Sequence, residues 1–453
     1  MKKIDMLHGS IADKTFFFAI TLAVSGMAQQ MFNVADTLLM GRFTGSGAMA
    51  AVGSSAPLIG LIYALFIGIS LGTNVVSAQL IGKGDRKGAG RAAWSSLLSA
   101  LGAGIVFALL CEAVLPLMVR MMDVPEEITA MASLYLRIYF LSLPGFFLFN
   151  FTAAIFRSHG NTRTPFICLF LAGLVKAAVS FVMVVYMDAG VAGAAFSSLF
   201  SAYISAGLLL YCLFSDRKSF YMERRPAFDF SLMKRILIIG VPAGLQGAIF
   251  SISNVVIQTA INGIGTETMA ATAITFHMEI LGYYIFNAFG QAATTFVGQN
   301  YGRGLLRRCR RIGLITLGES LLLSGAAIGV MLYFGRDILT FFNPEEGVVA
   351  YGLIRLKYGL GGEMLNVIIE MISGYLRGFG RSMAPAAVTL TGICGVRLFY
   401  VHFFFPFHQD FATLMKVYPL SWLITALCMA VLLLCFMRRT GASLAKTETC
   451  MAG

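Results

Sequence analysis

The stretch of sequence that decides the fold is Gln79-Leu-Ile-Gly-Lys-Gly84, because a related stretch, Gln299-Asn-Tyr-Gly-Arg-Gly304, follows it 220 residues later. Two further matches share this offset: Met49-Ala-Ala51 with Met269-Ala-Ala271, and Arg157, Gly160 and Pro165 with Arg377, Gly380 and Pro385. Three matches at one offset indicate an internal duplication, although the last two helices predicted for each half align poorly. We interpret each Gly-x-Gly as a tight turn in a basic loop, because the third glycine of a phosphate-binding motif is absent.

The composition places both halves of this duplication in a membrane. Of the 453 residues, 58% are hydrophobic and 12% are charged, and the mean hydropathy is +0.79. Soluble domains carry about 25% charged residues, and a bilayer core needs roughly 20 apolar residues per helix. The sequence therefore predicts an all-α integral membrane protein with twelve spans, near 15–40, 49–78, 92–118, 130–156, 165–187, 190–214, 236–262, 268–298, 311–334, 347–376, 384–406 and 415–437.

Lysine and arginine predict the orientation of these spans. With the N-terminus in the cytoplasm, 25 of the 34 lysines and arginines lie on the cytoplasmic side, 4 on the other side and 5 within spans. The positive-inside rule then places both termini of this multi-pass membrane protein in the cytoplasm. We predict an N-terminal six-helix lobe over 1–214, a cytoplasmic linker over 215–234, a C-terminal six-helix lobe over 235–437 and a cytoplasmic tail over 438–453.

Because six is an even number, both lobes enter the membrane in the same sense. They are then related by a pseudo-two-fold axis along the membrane normal, with a cavity between them. The basic residues that give the net charge of +12 lie in short loops, so we expect contacts with membrane lipid and none with nucleic acid. No GxxxxGK[ST] motif occurs, so we expect no ATPase activity. We also expect that the protein is not an enzyme, needs no cofactor and is a monomer.

Four segments of the sequence resemble those of a known family. Predicted helix 1 reads Gln30-Met-Phe-Asn-Val-Ala-Asp36, predicted helix 7 contains Gly240-Val-Pro242, and Thr295-Phe-Val-Gly-Gln-Asn-Tyr-Gly302 and Leu376-Arg-Gly378 follow. Together these segments resemble the multidrug and toxic compound extrusion (MATE) family, particularly its bacterial DinF-like members. The resemblance implies export of organic cations or similar amphipathic compounds across the bacterial plasma (inner) membrane, driven by an inward flow of protons or sodium.

The best candidate for an ion or substrate site in the first half is the carboxylate of Asp36. Gln29, Asn33 and Asp36 are spaced i, i+4 and i+7, so they share one face of helix 1. A charged side chain in a bilayer is costly and requires a partner or a function. The family's helix-1 aspartate matches this position, and a sodium ion near Asp36 is one possibility. The alternative is that Asp36 only caps or pairs near the end of its helix.

Helix 5 departs from the pattern that the resemblance implies. Related proteins often carry Asn and Asp 11 and 15 residues after the proline of the 4–5 loop, whereas counting from Pro165 gives Lys176 and Ser180 here. We hypothesise that Lys176 is a tethered cation for Asp36, so that substrate or proton binding competes with this ion pair. The alternative is a lysine that extends along its helix toward the membrane surface.

Candidate residues in the second half are Asn254 and Gln258 of helix 7, Glu279 of helix 8, and Glu363 and Glu370 of helix 10. Carboxylates in a cavity of low dielectric constant are suited to binding a proton or a cation. The alternative is structural pairing with the basic residues of the same half, which are Arg355, Lys357 and Arg397.

These observations predict a secondary active efflux transporter that exchanges protons or sodium for cationic or amphipathic small molecules by alternating access. An alternative is a lipid-linked precursor flippase of the wider superfamily, which would need cavity cations to hold pyrophosphate. The candidates for such cations are Arg137, Lys176, Arg355, Lys357 and Arg397. A channel or structural membrane protein fits less well, because lone charges occur inside both predicted lobes.

Overall fold

The computed structural model describes residues 3–121, 126–407 and 409–451. Of the lysines counted above, Lys2 and the side chain of Lys446 lie outside the described residues, as do positions 452 and 453 of the predicted tail. Nearly every described residue is helical, and no strand occurs in this part of the chain. The all-α prediction is therefore confirmed.

Twelve helical units follow one another along the described chain. In the first half they are α1 (Ala12–Phe43), α2 (Ser46–Lys83), α3 (Arg86–Met121), α4 (Glu126–Phe140 with Leu143–Ser158), α5 (Arg163–Tyr186) and α6 (Gly190–Ser215). In the second half they are α7 (Phe230–Asn262), α8 (Thr266–Gly302), α9 (Leu306–Tyr333), α10 (Glu346–Arg355, Leu356–Leu360 and Gly361–Gly378), α11 (Met383–Phe407) and α12 (Val417–Met451). Each unit corresponds to one of the twelve predicted spans, and no predicted span extends more than two residues beyond its unit.

Four of the units differ from the plain helix that the sequence predicted, because α4 is bent and α5, α10 and α11 contain π-helical turns. The two parts of α4 meet at an angle of 45°, and Pro144 lies in the first turn of its second part. Proline lacks a backbone N–H and disfavours helical geometry in the residue before it, which explains the break. In α10, one wider π-helical turn at Leu356–Leu360 separates the two α-helical parts.

The units differ in how apolar they are. Within the described residues, nine helices are individually long and apolar enough to cross a bilayer, and bent α4 is a tenth. The two remaining units, α8 and α10, are more polar because they carry Glu279, Glu363 and Glu370. These two helices thus bear charges that a bilayer would not tolerate without partners.

Among the described residues, the lobes meet along the half of α2 that lies nearest the loops at Lys83 and Arg303, and we call this side of the molecule the basic end. Along α2 and α7, Gly68 lies against Gly244, and Gly72 lies against Gly240, close enough that an added Cβ would overlap backbone atoms. Toward the opposite end of α2, Gly53 and Gly60 have no neighbour within 4 Å. The lobes therefore diverge away from the basic end and leave a cleft between them.

The repeated motif sits in this contact between the lobes. A Cβ on Gly82 would overlap the backbone of Gln299, and a Cβ on Gly302 would overlap the backbone of Gln79. The final glycine of each motif, Gly84 or Gly304, has φ of +82°, a conformation that glycine adopts without strain. The interpretation of both motifs as tight turns is confirmed, and each also provides a close approach of the two halves.

The first helix of each half packs against both lobes. Near the basic end, Phe18 of α1 is fully buried against Phe296 of α8, with ring centroids 5.5 Å apart, whereas Met40 of α1 is buried among α4 and α6. The beginning of α7 is buried against α2 and α3, whereas Ile257 of α7 is buried in the core of the second half. The helices α1 and α7 thus exchange partners halfway along their length.

The short segments that precede α1 and α7 also connect the two halves. Before α1, the N–H of Ile4 bonds to the carbonyl of Gly160 in the first half, while Asn300 of α8 donates to the carbonyl of Met6. The linker between the halves runs from 216 to 229, within the predicted 215–234. At its end, Asp229 caps α7 and forms an ion pair with Arg91 of α3, 3.1 Å apart.

Candidate sites in the two lobes

The first candidate site joins α1 to α5. The Nζ of Lys176 lies 2.6 Å from Oδ2 of Asp36 and donates to Oδ1 of Asn33 at 3.4 Å. The side chains of Lys176 and Asp36 are 13% and 16% exposed. Of the predicted residues, these three are brought together, in the half of α1 that lies away from the basic end.

Close packing of two helices positions this pair. An added Cβ on Gly173 of α5 would overlap the ring of Phe32 of α1, and the same ring lies 5.9 Å from that of Phe170. The glycine lets α1 approach α5 closely, so that a lysine one turn further along α5 reaches the carboxylate. The close approach of α1 to α5 depends on Gly173 and Phe32, which carry no charge.

The other two predicted residues of the first lobe lie beside this pair. Ser180 is fully buried one turn beyond Lys176, and its hydroxyl has no hydrogen-bond partner among the described residues. Gln29 is half-buried one turn before Asn33 on α1. Neither replaces the second carboxylate that the family resemblance led us to look for.

A group of aromatic residues near the pair was missed by the sequence analysis. Tyr135 and Tyr139 of α4 lie near Asp36. The hydroxyl of Tyr139 donates to that of Tyr63, and the Tyr63 ring stacks on Phe146 with centroids 3.6 Å apart. Such rings offer flat faces that can contact an organic cation. The signal in the sequence was the spacing of Tyr135 and Tyr139, i and i+4, which place both on one face of α4.

The second lobe contains a buried ion pair of different geometry. Arg355 of α10 donates from Nε and Nη2 to the two carboxylate oxygens of Glu279, at 2.9 and 2.8 Å. Arg355 is only 4% exposed, and its guanidinium also lies 5.7 Å from the ring centre of Tyr418. Glu279 is thus held by a bidentate arginine, the arrangement that the pairing alternative described.

The remaining acids of α10 differ from each other. Glu363 is 6% exposed, and its Oε2 has no hydrogen-bond partner among the described residues. Glu370 lies 3.7 Å from Nη1 of Arg377, seven residues further along the same helix. An added Cβ on Gly282 or Gly290 of α8 would press on these carboxylates, so both point toward α8.

The two predicted residues of α7 point to different surroundings. The Oδ1 of Asn254 accepts from Nη1 of Arg397 at 2.9 Å, in the interior of the lobe. Gln258 donates to Asn262 along its own helix, in an exposed position. The structure therefore groups Asn254 with Arg397 and leaves Gln258 apart.

The predicted residues thus form two separate groups, one in each lobe. Twelve helical units in two pseudo-symmetric lobes, with charged pairs inside a membrane-spanning bundle and a cleft between the lobes, define a transporter rather than an enzyme. The MatE family model matches residues 22–182 and 242–401, one segment in each half. The chain belongs to this family of multi-pass membrane transporters.

Relatives and solved structures agree with this assignment. A probable multidrug resistance protein NorM of Thermotoga maritima is 27% identical over 84% of this chain and 83% of its own length. The multidrug resistance protein PmpM of Pseudomonas aeruginosa is 25% identical, over 84% and 82%. The crystal structure of a MATE protein in complex with MaL6 has a TM-score of 0.89, covering 98% of this chain and 100% of that chain at 20% identity. The structural similarity confirms the predicted fold.

Proposed function

We propose that this chain is a secondary active efflux transporter that exchanges protons for cationic or amphipathic organic compounds. The single observation that carries the proposal is the ion pair between Lys176 and Asp36, 2.6 Å apart in the lobe that also holds Tyr135 and Tyr139. The names of the relatives from Thermotoga maritima and Pseudomonas aeruginosa support multidrug compounds as the substrate class.

In the proposed exchange, the proton, the ammonium of Lys176 and the organic cation compete for one carboxylate, that of Asp36. While Asp36 is ionised, it attracts Lys176 or, in its place, an organic cation. A proton on Asp36 cancels both attractions, so the bound compound is released while the lysine is freed from its partner. The same carboxylate cannot hold a proton and a cation together, and this exclusion is what an exchanger requires.

Sodium is less favoured than the proton at this position. A sodium ion needs several oxygen ligands, and the ammonium of Lys176 occupies the place beside Asp36 where a neutral amide would offer one. Within the described residues, no group of three or more acidic, histidine or cysteine side chains that could hold a metal ion occurs. In addition, Ser180 stands at the position where the family resemblance implies a second carboxylate that would share a cation with Asp36.

The direction of transport rests on the charge of the loops. We infer that both termini and the basic end face the cytoplasm, because arginine and lysine favour that side. The cleft then opens to the outside, where protons enter and the exported compound leaves. We propose that the lobes rock against each other at their glycine contacts to open the cleft inward.

The flippase alternative is not favoured, because four of its five candidate cations are ion-paired or buried. Arg137 pairs with Glu112 at 2.8 Å, Lys176 with Asp36, and Arg355 with Glu279. Arg397 is 1% exposed, and Lys357 lies on the ring of its own neighbour Tyr358, with its Nζ 5.6 Å from the ring centre. A pyrophosphate would need several of these cations to face one cavity together.

The proposal is tested with inside-out membrane vesicles and a fluorescent cation such as ethidium. An acidic lumen and a sodium-loaded lumen at equal pH are imposed separately, with vesicles lacking the protein as the control. We expect the acidic lumen to drive ethidium accumulation and the sodium-loaded lumen to drive none. Accumulation driven by sodium alone, or by neither gradient, would contradict proton exchange.

The role of the lysine is tested with Lys176→Asn. Loss of the ammonium removes the positive charge beside the Asp36 carboxylate, so we expect half-maximal transport to move to higher pH. Lys357→Asn is the matched control, because Lys357 is another membrane-embedded lysine that lies on an aromatic ring. An unchanged pH profile in Lys176→Asn, or an equal shift in Lys357→Asn, would show that Lys176 does not act through Asp36.

A further inference from the structure

The contact between Lys176 and Asn33 recurs in the second lobe. In the first lobe the lysine of the fifth helix contacts the asparagine of the first helix, and the two lie 143 residues apart. In the second lobe Arg397 of α11 contacts Asn254 of α7, and this pair also lies 143 residues apart. Both residues of the second pair follow those of the first by 221 positions, one more than the offset of the repeated motifs.

The second lobe keeps the cation of this arrangement but lacks its carboxylate. The position equivalent to Asp36 is Ile257, which is fully buried in an apolar core. Arg397 is 1% exposed, and besides the bond to Asn254 it donates from Nε to the hydroxyl of Ser421 at 3.2 Å. Both of these hydrogen-bond partners of the guanidinium are neutral.

Aromatic rings take the place of the missing acid. The guanidinium carbon of Arg397 lies 4.5, 5.4 and 5.3 Å from the ring centres of Tyr418, Trp422 and Phe250, respectively. Ring faces attract a cation without titrating, and the attraction is larger when water is absent. The rings belong to α12 and α7, so Arg397 connects three helices of the lobe.

The other charged groups around Arg397 do not supply a free partner. Glu279 of α8, Arg355 of α10 and Tyr418 of α12 interact electrostatically with it, together with Cys394 of its own helix. Both carboxylate oxygens of Glu279 already accept hydrogen bonds from Arg355. No ion pair of Arg397 with an acid occurs in the part of the chain that the structure describes.

We propose that Arg397 is the second lobe's counterpart of Lys176 and acts as a permanent internal cation that positions α7 against α11. This inference rests on the proposed proton exchange and deepens it. A guanidinium does not lose its proton in proteins, and no carboxylate at position 257 can be neutralised beside it. The contact of α7 with α11 therefore persists throughout the cycle, and only the contact of α1 with α5 responds to a proton. The transporter has one switchable lobe and one fixed lobe.

The test measures both helix contacts in the full-length protein in liposomes. Spin labels are placed at the exposed positions Ile252 and Phe399 for α7 and α11, and at Met31 and Leu174 for α1 and α5, after the eight native cysteines are replaced by alanine. Electron paramagnetic resonance then reports each distance at pH 5.5 and pH 8. We expect the α1–α5 distance to change with pH and the α7–α11 distance to stay constant. A pH-dependent α7–α11 distance would overturn the proposal.

Three variants separate positioning from a purely structural role. We expect Arg397→Gln to broaden the α7–α11 distances and lower the maximal rate of transport roughly tenfold or more, with an unchanged pH at half-maximal transport. Arg397→Lys should restore a single narrow distance, because a lysine performs this role in the first lobe. Lys176→Gln should instead shift the pH profile and leave the α7–α11 distance unchanged.

Each contrary outcome has a distinct meaning. A shifted pH profile in Arg397→Gln, or failure of Arg397→Lys to restore the distance, would overturn the assignment of a permanent positioning cation. Failure of the proposed proton exchange is detected by a different experiment, the vesicle assay, in which the wild-type protein would then not accumulate ethidium when the lumen is acidic. The spin-label distances in Arg397→Gln test the positioning role even if proton exchange fails, because the distance measurement requires no gradient.

Discussion

The buried pair of Glu279 and Arg355 gives the sharpest prediction about stability. At 2.8 Å and an effective dielectric constant of about 20, two unit charges attract each other by about 6 kcal/mol. Removing each ion from water costs several kcal/mol, so the net contribution of the pair to stability is small. Removal of one partner alone is different, because it leaves the other charge buried at only 15% exposure in the case of Glu279.

We therefore expect Arg355→Met to lower the free energy of unfolding by about 3–5 kcal/mol, or roughly a hundredfold to a few thousandfold in the folding equilibrium. The double variant Glu279→Gln with Arg355→Met should regain most of this loss, because no charge remains stranded. The assay is reversible unfolding in mixed detergent micelles, combined with ethidium transport by the same variants in vesicles.

Two results would refute this reasoning. The first is a double variant as unstable as Arg355→Met alone, which would mean that the stranded carboxylate is not the cause. The second is loss of transport in Glu279→Gln at undiminished stability, which would make Glu279 a coupling carboxylate instead of a structural partner of Arg355. A double-mutant cycle with Glu279→Gln measured alone isolates the interaction of the two side chains.

Three further predictions concern the basic end. Gly82→Ala should push the lobes apart at Gln299 and reduce transport at least tenfold, whereas Gly53→Ala, at a glycine with open space, should leave the transport rate unchanged. Asp229→Ala should lower the free energy of unfolding by about 1 kcal/mol, because the N-terminal cap of α7 is lost. Asp229→Asn should keep most of the wild-type stability, because asparagine also caps helices, and thermal unfolding measures both variants. Burial lowers the pKa of His159, in the turn after α4, from 6.5 to about 4. The unfolded chain then binds the extra proton, so stability falls by about 1.4 kcal/mol per unit as pH drops from 6.5 toward 4, and His159→Gln should abolish this slope in unfolding measured against pH.

The helical units were predictable because each is an apolar run of bilayer length, and hydropathy is a local property of the chain. The break in α4 was missed because its run stays apolar throughout, although Pro144 marked the place. The exchange of partners by α1 and α7 was not predictable in this way. Hydropathy says that a helix is buried in lipid or protein, but it does not say which helix lies beside it.

The site was partly predictable for a similar reason. Lys176 and Asp36 could be brought together from the spacing after Pro165, because the family resemblance supplied the pairing of helices. Arg397 was named as a basic residue, but its equivalence to Lys176 was missed because the two lie at an offset of 221, where the alignment of the two halves had already become poor. The tyrosines of α4 carry no charge, and an analysis that searches for costly charges passes over them.

The crossed packing of α1 and α7 has a consequence for how the chain tolerates cutting. Each half inserts the start of its first helix into the other half, so neither half completes its own core when alone. Severing the polypeptide between 216 and 229 should yield two fragments that survive only when co-expressed and that purify as an obligate heterodimer. A gene split at this place would thus encode two interdependent subunits, the reverse of the duplication that created the protein.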